Sequence, residues 1–469
     1  MLKTTPLVTV YVPCRNYGRF LTQCVESVLG QLYTEWELIL VDEASSDDTA
    51  TIAEDLRRRR PDRITVVRNP EPIGLQKLAN HVLGMANGKY MVRLDADDWL
   101  DEGALLLMVS KLEATPGVGL VYGNYFYTDA EGHVLGMERR HRLGAEDRAG
   151  HLPPHGACTM FRTRALKTVG GYSEDIDAQD GWELWYKLSN RVGAASLEVP
   201  VFYYRQHGSS LSRDFNRLLT ARSRIFERIS SALEGSYQPS CLAVIPVRES
   251  YPGFKGVPYR EFQGRSLLER AILSATHAHK VTHVIVSTES KTVLDYAASL
   301  EAEGRVPAHT RVIRSAGFEN KSGVLPIREI LLHAGECYSG FTGVMPDIVM
   351  FLSIHAVHRR AQHLDKALNV LRITESDSIV SVQEEREPLF SHGSNGLNLL
   401  NPGRFQDLAY DRERLYRFNG AILAAWWEVL KQASLLGERI AYIEMSQEES
   451  LQIKTAASPV TVPSPINRI

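Results

Sequence analysis

The chain has 469 residues, 44% of them hydrophobic and 23% charged, with 21 prolines and 34 glycines, a balance that excludes a disordered or fibrous polymer. Its formal charge of −3 gives no overall drive toward nucleic acid or an anionic membrane, and at about 150 residues per domain the length allows two or three cores, of which two is the better reading. The first residues carry no basic region followed by an apolar run, and the longest strongly apolar stretches, 348–354 and 420–427, fall far short of the roughly 20 residues that cross a bilayer, so a cytoplasmic protein with no integral membrane segment is expected.

Along the first half, short β-branched runs alternate with amphipathic stretches. Residues 7–12 read as a strand, 20–31 as a helix, 36–41 as a strand, 47–60 as a helix and 64–67 as a strand. Another helix follows Gly74, and 90–94 makes a strand that stops at acidic residues. Such alternation predicts βαβ units on a largely parallel sheet. Ligands of an open α/β sheet bind beyond the carboxyl ends of its strands, which marks the residues after Val12, Val41 and Leu94. The run Arg57 to Arg60 reads as a solvated last helical turn that complements the helix dipole.

A charged helical segment, 214–234, ends in Gly235-Ser236 and Pro239, and the alternation restarts at 241–245. The boundary is placed at 236–240. Further strands are expected at 281–287, 311–314, 348–352 and 378–382, so the second half is also α/β. The end, rich in Pro, Ser and Thr, reads as a disordered tail. The expected organisation is therefore a first domain over 1–213, a helical linker over 214–239, a second domain over 240–456 and a tail over 457–469. Five scattered cysteines, Cys14, Cys24, Cys158, Cys241 and Cys337, with no CxxC pair and one left over, read as reduced core thiols.

The central chemical signal is Leu94-Asp95-Ala96-Asp97-Asp98 at the end of an apolar strand. Two carboxylates two residues apart in an extended segment can present one oxygen to a hard cation, Mg²⁺ or Mn²⁺, and another to a ribose or sugar hydroxyl. Alone, Asp-x-Asp is a weak signal, because acidic turns after strands are common. Its setting is more specific: Pro13-Cys14-Arg15-Asn16-Tyr17 follows the first strand, Asp42-Glu43-Ala44-Ser45-Ser46-Asp47-Asp48-Thr49 follows the second, and Gly74 and Asn80 precede the acidic strand.

In this order and spacing, over about residues 7–213, the chain resembles the family 2 glycosyltransferases, whose nucleotide-binding domain has the A-type fold. The resemblance implies a nucleotide-sugar donor and a divalent cation. It implies that Asp42, and with it Glu43, reads the donor base, that Pro13 and Asn16 line the nucleotide pocket, and that Asp95 lies near the ribose or sugar with Asp97 on the metal. Glu43 departs from the second Asp that the family often has. Asp47 is better read as a helix N-cap, and Asn80 equally as a surface residue.

Farther on, Gln179-Asp180-Gly181-Trp182 stands where inverting members carry Glu-Asp before an apolar helix. The resemblance implies that Asp180 is the general base, facing the acceptor hydroxyl opposite the departing nucleotide; on residues alone it could be the N-cap of the following helix. Tyr203-Tyr204-Arg205-Gln206-His207-Gly208 matches a segment that closes the donor site, with His207 on the metal or diphosphate and Arg205 neutralising phosphate. His151 and His155, on a loop with Pro153-Pro154, make a poor metal signature and suit an acceptor-side loop.

In the second half, Ile245-Pro246-Val247-Arg248, then Phe254-Lys255-Gly256-Val257-Pro258-Tyr259-Arg260, and then Gly264-Arg265-Ser266 resemble the opening of sugar-acid cytidylyltransferases such as the CMP-sialic acid synthetases. The resemblance spans about residues 241–455 and implies a cytidylyltransferase-like fold in which Arg248, Lys255 and Arg260 gather phosphates of CTP or a CMP-sugar. It departs where that family's late Asp-x-Asp would hold Mg²⁺, because Gln452 and Lys454 stand there, and where its sugar loop would be, because the chain reads Leu352-Ser353-Ile354-His355-Ala356.

The expectation is thus an inverting glycosyltransferase of surface-glycan or glycoprotein assembly, with a glycan, lipid-linked or protein acceptor, fused to a second nucleotide-binding α/β domain. A CTP-dependent sugar-acid activating enzyme and a non-catalytic nucleotide-sugar scaffold remain as alternatives.

Overall fold

The computed structural model describes residues 5–139, 157–176, 180–207, 215–233, 238–251, 254–314, 326–385, 387–393, 396–400, 415–432 and 434–454. The chain divides into two units: unit 1 is Met1–Ile225 with Arg386–Glu413, and unit 2 is Phe226–Glu385 with Arg414–Ile469.

Unit 1 opens with β1 (Val8–Cys14), α1 (Gly18–Leu29), β2 (Trp36–Glu43), α2 (Thr49–Arg59), β3 (Ile64–Asn69), α3 (Leu75–Met85) and β4 (Tyr90–Arg93). β2 and β4 lie parallel to β1 on its two sides, and β3 lies parallel to β2, so the strand order reverses at β1. Both faces of β1 are covered, which explains its nearly continuous apolar run. Val8, Val10 and Val12 pack with Leu21, Cys24, Val25 and Val28 of α1, whose spacing forms one helical stripe. On the other face Tyr11 joins Leu78 and Val82 of α3.

The sheet then grows through β5 (Trp99–Leu100), α4 (Ala104–Ala114), β6 (Leu120–Thr128), β7 (Val134–Glu138), β8 (Met160–Arg162), α5 (Thr163–Thr168), α6 (Asp180–Val192) and β9 (Ala194–Arg205), of which the sequence marks only the helix at Asp180. Nine strands result, in the order β3-β2-β1-β4-β8-β6-β9-β5 with β7 on β6. β8 is antiparallel to β4 and β6, while β9 runs parallel to β6.

Helix α7 (Phe215–Leu233) follows. The division between units falls inside it, not at 236–240, and side-chain partners give the reason: Arg224 donates to the Asp175 carbonyl oxygen at 3.3 Å, whereas Glu227 meets Lys280 at 3.2 Å and Asn369 at 3.1 Å.

Unit 2 contains β10 (Cys241–Val247), the short ribbons β11 (Ser250–Tyr251) with β12 (Phe254–Lys255) and β13 (Glu261–Phe262) with β14 (Arg265–Ser266), then α8 (Leu267–Thr276), β15 (His283–Thr288), α9 (Lys291–Ala302), β16 (Thr310–Ile313), α10 (Ile327–Thr342), β17 (Ile348–Leu352), α11 (Ala361–Ile373) and β18 (Ser378–Glu385). The hairpin β19 (Phe390–Gly393) and β20 (Gly396–Leu399) belongs to unit 1, after which β21 (Leu415–Trp426), α12 (Trp427–Lys431) and β22 (Ile440–Glu444) complete unit 2. Its seven-stranded sheet runs β16-β15-β10-β17-β21-β18-β22. β15 and β17 flank β10 in parallel, β21 is antiparallel to β17 and β18, and β22 is parallel to β18.

The path of unit 1 is therefore repeated. Each sheet starts as strands three, two, one and four, continues with a late antiparallel strand and an earlier one, and then adds a strand parallel to the last. The five cysteines carry free thiols. Among the described residues no helix is long and apolar enough to cross a membrane. The expected tail, 457–469, lies outside the described residues.

Candidate functional site

Pro13 lies half-buried near the end of β1, and the strand delivers the chain to Asn16, which sits in the left-handed region at φ 60°. That turn is held from the neighbouring loop. The Asn16 N–H donates to Ser45 Oγ at 3.0 Å, and Asn16 Oδ1 accepts the Ser46 N–H at 2.8 Å. Asp47 fastens two helix starts at once, accepting the Thr49 N–H at 3.0 Å and the Gly18 N–H at 3.1 Å. Burial works against its charge, but these donors prevail and hold the carboxyl below its ordinary range. The N-cap of α2 is Asp48, which makes no side-chain cap bond, so Asp47 serves from one residue earlier. Gly18 leaves room for Asp48, because a Cβ there would meet Asp48 Oδ1 at 2.0 Å.

At the end of β2, Asp42 is buried; its Oδ1 accepts the Ser45 N–H at 3.1 Å and its Oδ2 lies 3.6 Å from the exposed Arg68. Glu43 is engaged differently. Its carboxylate accepts from the Asn69 side chain and from the N–H groups of Ile73 and Gly74 at 3.0 and 3.1 Å, which fastens the loop leading into α3.

The acidic segment after β4 turns back through the Asp98 N–H, which donates to the Asp95 carbonyl oxygen at 3.0 Å. Asp95 pairs with buried Arg93 at 3.0 Å. Strand pairing of β5 with β9 brings Asp97 against the end of β9, where its Oδ2 lies 2.9 Å from Nε2 of His207, a partner 110 residues away. The His207 ring is buried against Phe20 and Tyr17, at centroid distances of 5.3 and 6.0 Å.

Arg205 braces this turn. Its Nε donates to the Asp97 carbonyl oxygen at 2.9 Å, Nη1 to the Ala130 carbonyl oxygen at 2.6 Å and Nη2 to Gln23, while the guanidinium is sandwiched between Phe20 and Trp99. Its own N–H donates to Asp98 Oδ1 at 2.9 Å. Arg205 therefore supports the Asp97 turn.

The carboxylates converge. Burial first, then the charges of Asp42, Asp47, Asp97 and Asp95, push the Cys14 thiol far up; burial and then Asp97, Asp95 and Asp98 do the same to the Tyr17 hydroxyl. Asp98 is itself held well above the usual carboxylate range by burial and by Asp97 and Asp95. Among the described residues no three His, Cys, Asp or Glu side chains are grouped to hold an ion by themselves. The Asp97 oxygen and His207 nitrogen are nonetheless donor types that Mn²⁺ and Mg²⁺ accept, and such ions fill most of their shell with substrate phosphate and water. The pair fits that role.

Asn80, which the sequence left equally as a surface residue, helps to position the approach to α6. Asn80 accepts the Tyr172 N–H at 2.8 Å and donates to the Tyr172 carbonyl oxygen at 2.9 Å and to Glu174 at 3.0 Å. Gly171 is at φ +71°, and a Cβ there would meet Asn80 Oδ1 at 2.4 Å. Ser173 donates to Glu183 and accepts from Lys187 Nζ at 2.8 Å, which docks the same turn on α6. Asp180 is the first residue of α6; its side chain, together with Gln179, 151–155 and 208–212, lies outside the described residues.

In unit 2, Arg248 directly follows β10, Lys255 is exposed on β12, and Arg260 lies 5.5 Å from the Phe254 ring. Glu249 Oε2 accepts from Ser290 Oγ at 2.8 Å, and the Glu249 carbonyl oxygen accepts the Gly256 N–H at 3.1 Å, so the first part of the loop after β10 is anchored. Buried Arg314 ties three strand ends through Ser287, Val247 and Glu289.

Residues 9–170 match the family model for glycosyl transferase family 2. Chondroitin synthase of Escherichia coli is 27% identical over 212 residues, covering 45% of this chain and 30% of that protein. EpsE of Bacillus subtilis (strain 168) is 39% identical over 231 residues, covering 45% of this chain and 77% of that protein. A solved mannosyltransferase, PcManGT from Pyrobaculum calidifontis in complex with GDP-Man and Mn²⁺, is 26% identical with a TM-score of 0.39, covering 48% of this chain and 65% of that one. The chain spans about a third or less of the first curated relatives it matches. On the family match and the extent of the likeness to EpsE, the chain belongs to glycosyl transferase family 2.

Proposed function

We propose that unit 1 transfers a sugar, with inversion, from a nucleoside diphosphate sugar to a hydroxyl acceptor in glycan assembly. The observation that carries this reading is the meeting of Asp97 and His207, from strand ends 110 residues apart, at 2.9 Å beside Asp95. Asp97 and His207 would hold Mg²⁺ or Mn²⁺, whose positive charge favours departure of the diphosphate. Asp42 and the loop at Pro13 and Asn16 receive the nucleoside, and Glu43 keeps the loop before α3 in place. Asp95, fixed by Arg93, orients a ribose or sugar hydroxyl. Asp180, at the start of α6, takes the proton of the acceptor hydroxyl as its oxygen bonds to the anomeric carbon; the bond from that carbon to the phosphate oxygen breaks, and its electron pair leaves with the nucleoside diphosphate. One displacement gives one inversion.

The test is a donor panel. Binding of UDP-, GDP-, dTDP- and CMP-sugars is measured with and without Mn²⁺ in the wild type and in Asp97→Ala. Diphosphate donors should bind only with the ion and weaken in the variant, and binding indifferent to both would remove the proposed ion site. For unit 2 the residues support a nucleotide site in which Arg248, Lys255 and Arg260 face phosphate, as in a cytidylyltransferase-like domain.

A further inference from the structure

The shared strand path lets positions in the two sheets be matched by register. Val8 pairs with Tyr90 where β1 and β4 begin, and Cys241 pairs with Ile348 where β10 and β17 begin. Cys14 pairs with Asp42, and Val247 with Thr288, at the ends of the first two strands. Counting from these pairs, Asp42 of unit 1 corresponds to Thr288 of unit 2, Asp95 to Ser353, Asp97 to His355 and Glu43 to Glu289. The last correspondence has an independent check, since Glu43 binds Asn69 and Glu289 binds Arg314, each at the end of the neighbouring third strand.

Where unit 1 carries Asp42, Asp95 and Asp97, unit 2 thus carries two hydroxyls and an imidazole, and the carboxylate it keeps, Glu289, is paired with buried Arg314. The place where Asp97 meets His207 is also built differently. In unit 2 the chain after β17 again meets the chain after the final strand, but by a backbone clip: the Ile453 N–H donates to the His355 carbonyl oxygen at 3.0 Å, His355 Nδ1 lies 2.6 Å from the Ile453 carbonyl oxygen, and Ala356 bridges Gln452. The Gln452 amide donates to the Asn419 carbonyl oxygen, and Gly420, at φ +72°, makes room for it. The residues present do not fit a cation. Positive charge at this edge comes instead from the chain, through Arg248 after β10 and Lys255 and Arg260 on the following loop. An acidic edge needs an ion to approach phosphate, whereas a basic one attracts it directly.

We infer that unit 2 binds a nucleoside triphosphate without a divalent cation and does not turn it over by metal-assisted chemistry. The inference rests on the reading of unit 2 as a nucleotide site, and the experiment separates the two. Titration calorimetry of the full chain carrying Asp97→Ala, with CTP, UTP, ATP and GTP, is run in EDTA and in Mg²⁺. The expected result is one nucleotide bound in EDTA within about threefold of its affinity in Mg²⁺, and weakened about tenfold or more by Arg248→Ser. Lys255→Ser, at an exposed position, should weaken it in the same direction and guards against misfolding of the first variant. Binding only with Mg²⁺ would overturn cation independence while leaving the nucleotide reading standing. Binding in neither buffer, or binding untouched by both substitutions, would overturn both.

Discussion

At the fourth sheet position unit 1 ends in Asp95 and Asp97, while unit 2 ends in Ser353 and His355. One scaffold has been closed in two ways. In unit 1 the final crossing is made by side chains, Asp97 to His207, with Arg205 bracing the turn from behind. In unit 2 the same crossing is made by main chain, Ile453 to His355, and cationic side chains stand on the loop after the first strand. On the proposed reading, a scaffold of this path specifies where a ligand sits, and a few strand-end residues decide whether its phosphates are met by an ion or by the chain.

The largest effect that would sharpen this contrast is at α6. Asp180→Asn should lower transfer by about 10²- to 10⁴-fold with donor binding retained, as followed by product formation and calorimetry. Transfer that persists would end its assignment as base. Next, His207→Ala should raise the Mn²⁺ concentration for half-maximal transfer by about 10- to 100-fold. An unchanged value would leave His207 as packing for Phe20 and Tyr17.

Both units also place a positive-φ glycine against an amide side chain, Gly171 on Asn80 and Gly420 on Gln452. Alanine at either should cost about 1–2 kcal/mol from the backbone alone, read as a shift in denaturant midpoint. Only Gly171→Ala should also lower kcat/KM, because its turn leads into α6. Equal loss of transfer from both would break the distinction between the units.

The smallest effect is the acid response of unit 2. There His363 lies 3.2 Å from Glu449. Burial lowers the His363 pKa, so the unfolded chain binds its proton more readily and stability falls as pH drops below 6.5. Burial opposes ionisation of Glu449, but its interaction with His363 prevails and the carboxyl is lowered to about 2; its contribution, full above the unfolded value, is lost as pH falls toward that point. Thermal melts from neutral to acid pH should show both losses, and His363→Gln should flatten the part between neutrality and mild acid.

Much of the first four strand positions in each half was legible, because strands buried on both faces must be apolar runs and their helices must carry a stripe. The extension through β5, β8 and β9 was not. β5 has two residues and β8 three, too few for a period to register, and the long β9 is only partly buried. Asp97 and His207 were each visible, but their meeting depends on pairing of β5 with β9. Glu43 and Arg205 show the other limit: residue type announces charge, but only the surrounding donors and acceptors reveal that both are engaged in holding loops. The replacement of Asp97 by His355 could be identified only once strand registers were known.

Unit 2 is interrupted between β18 and β21, where residues 386–413 return to unit 1. Since β21 lies between β17 and β18 in the finished sheet, a nascent chain that has emerged only as far as residue 400 lacks an interior strand of unit 2 and leaves two neighbouring edges open. Until translation supplies that strand, both edges are templates for pairing with other chains. A stop codon placed in this interval should therefore yield aggregated product, and dissecting the gene into separately expressed halves requires that the excursion be bridged by a short linker.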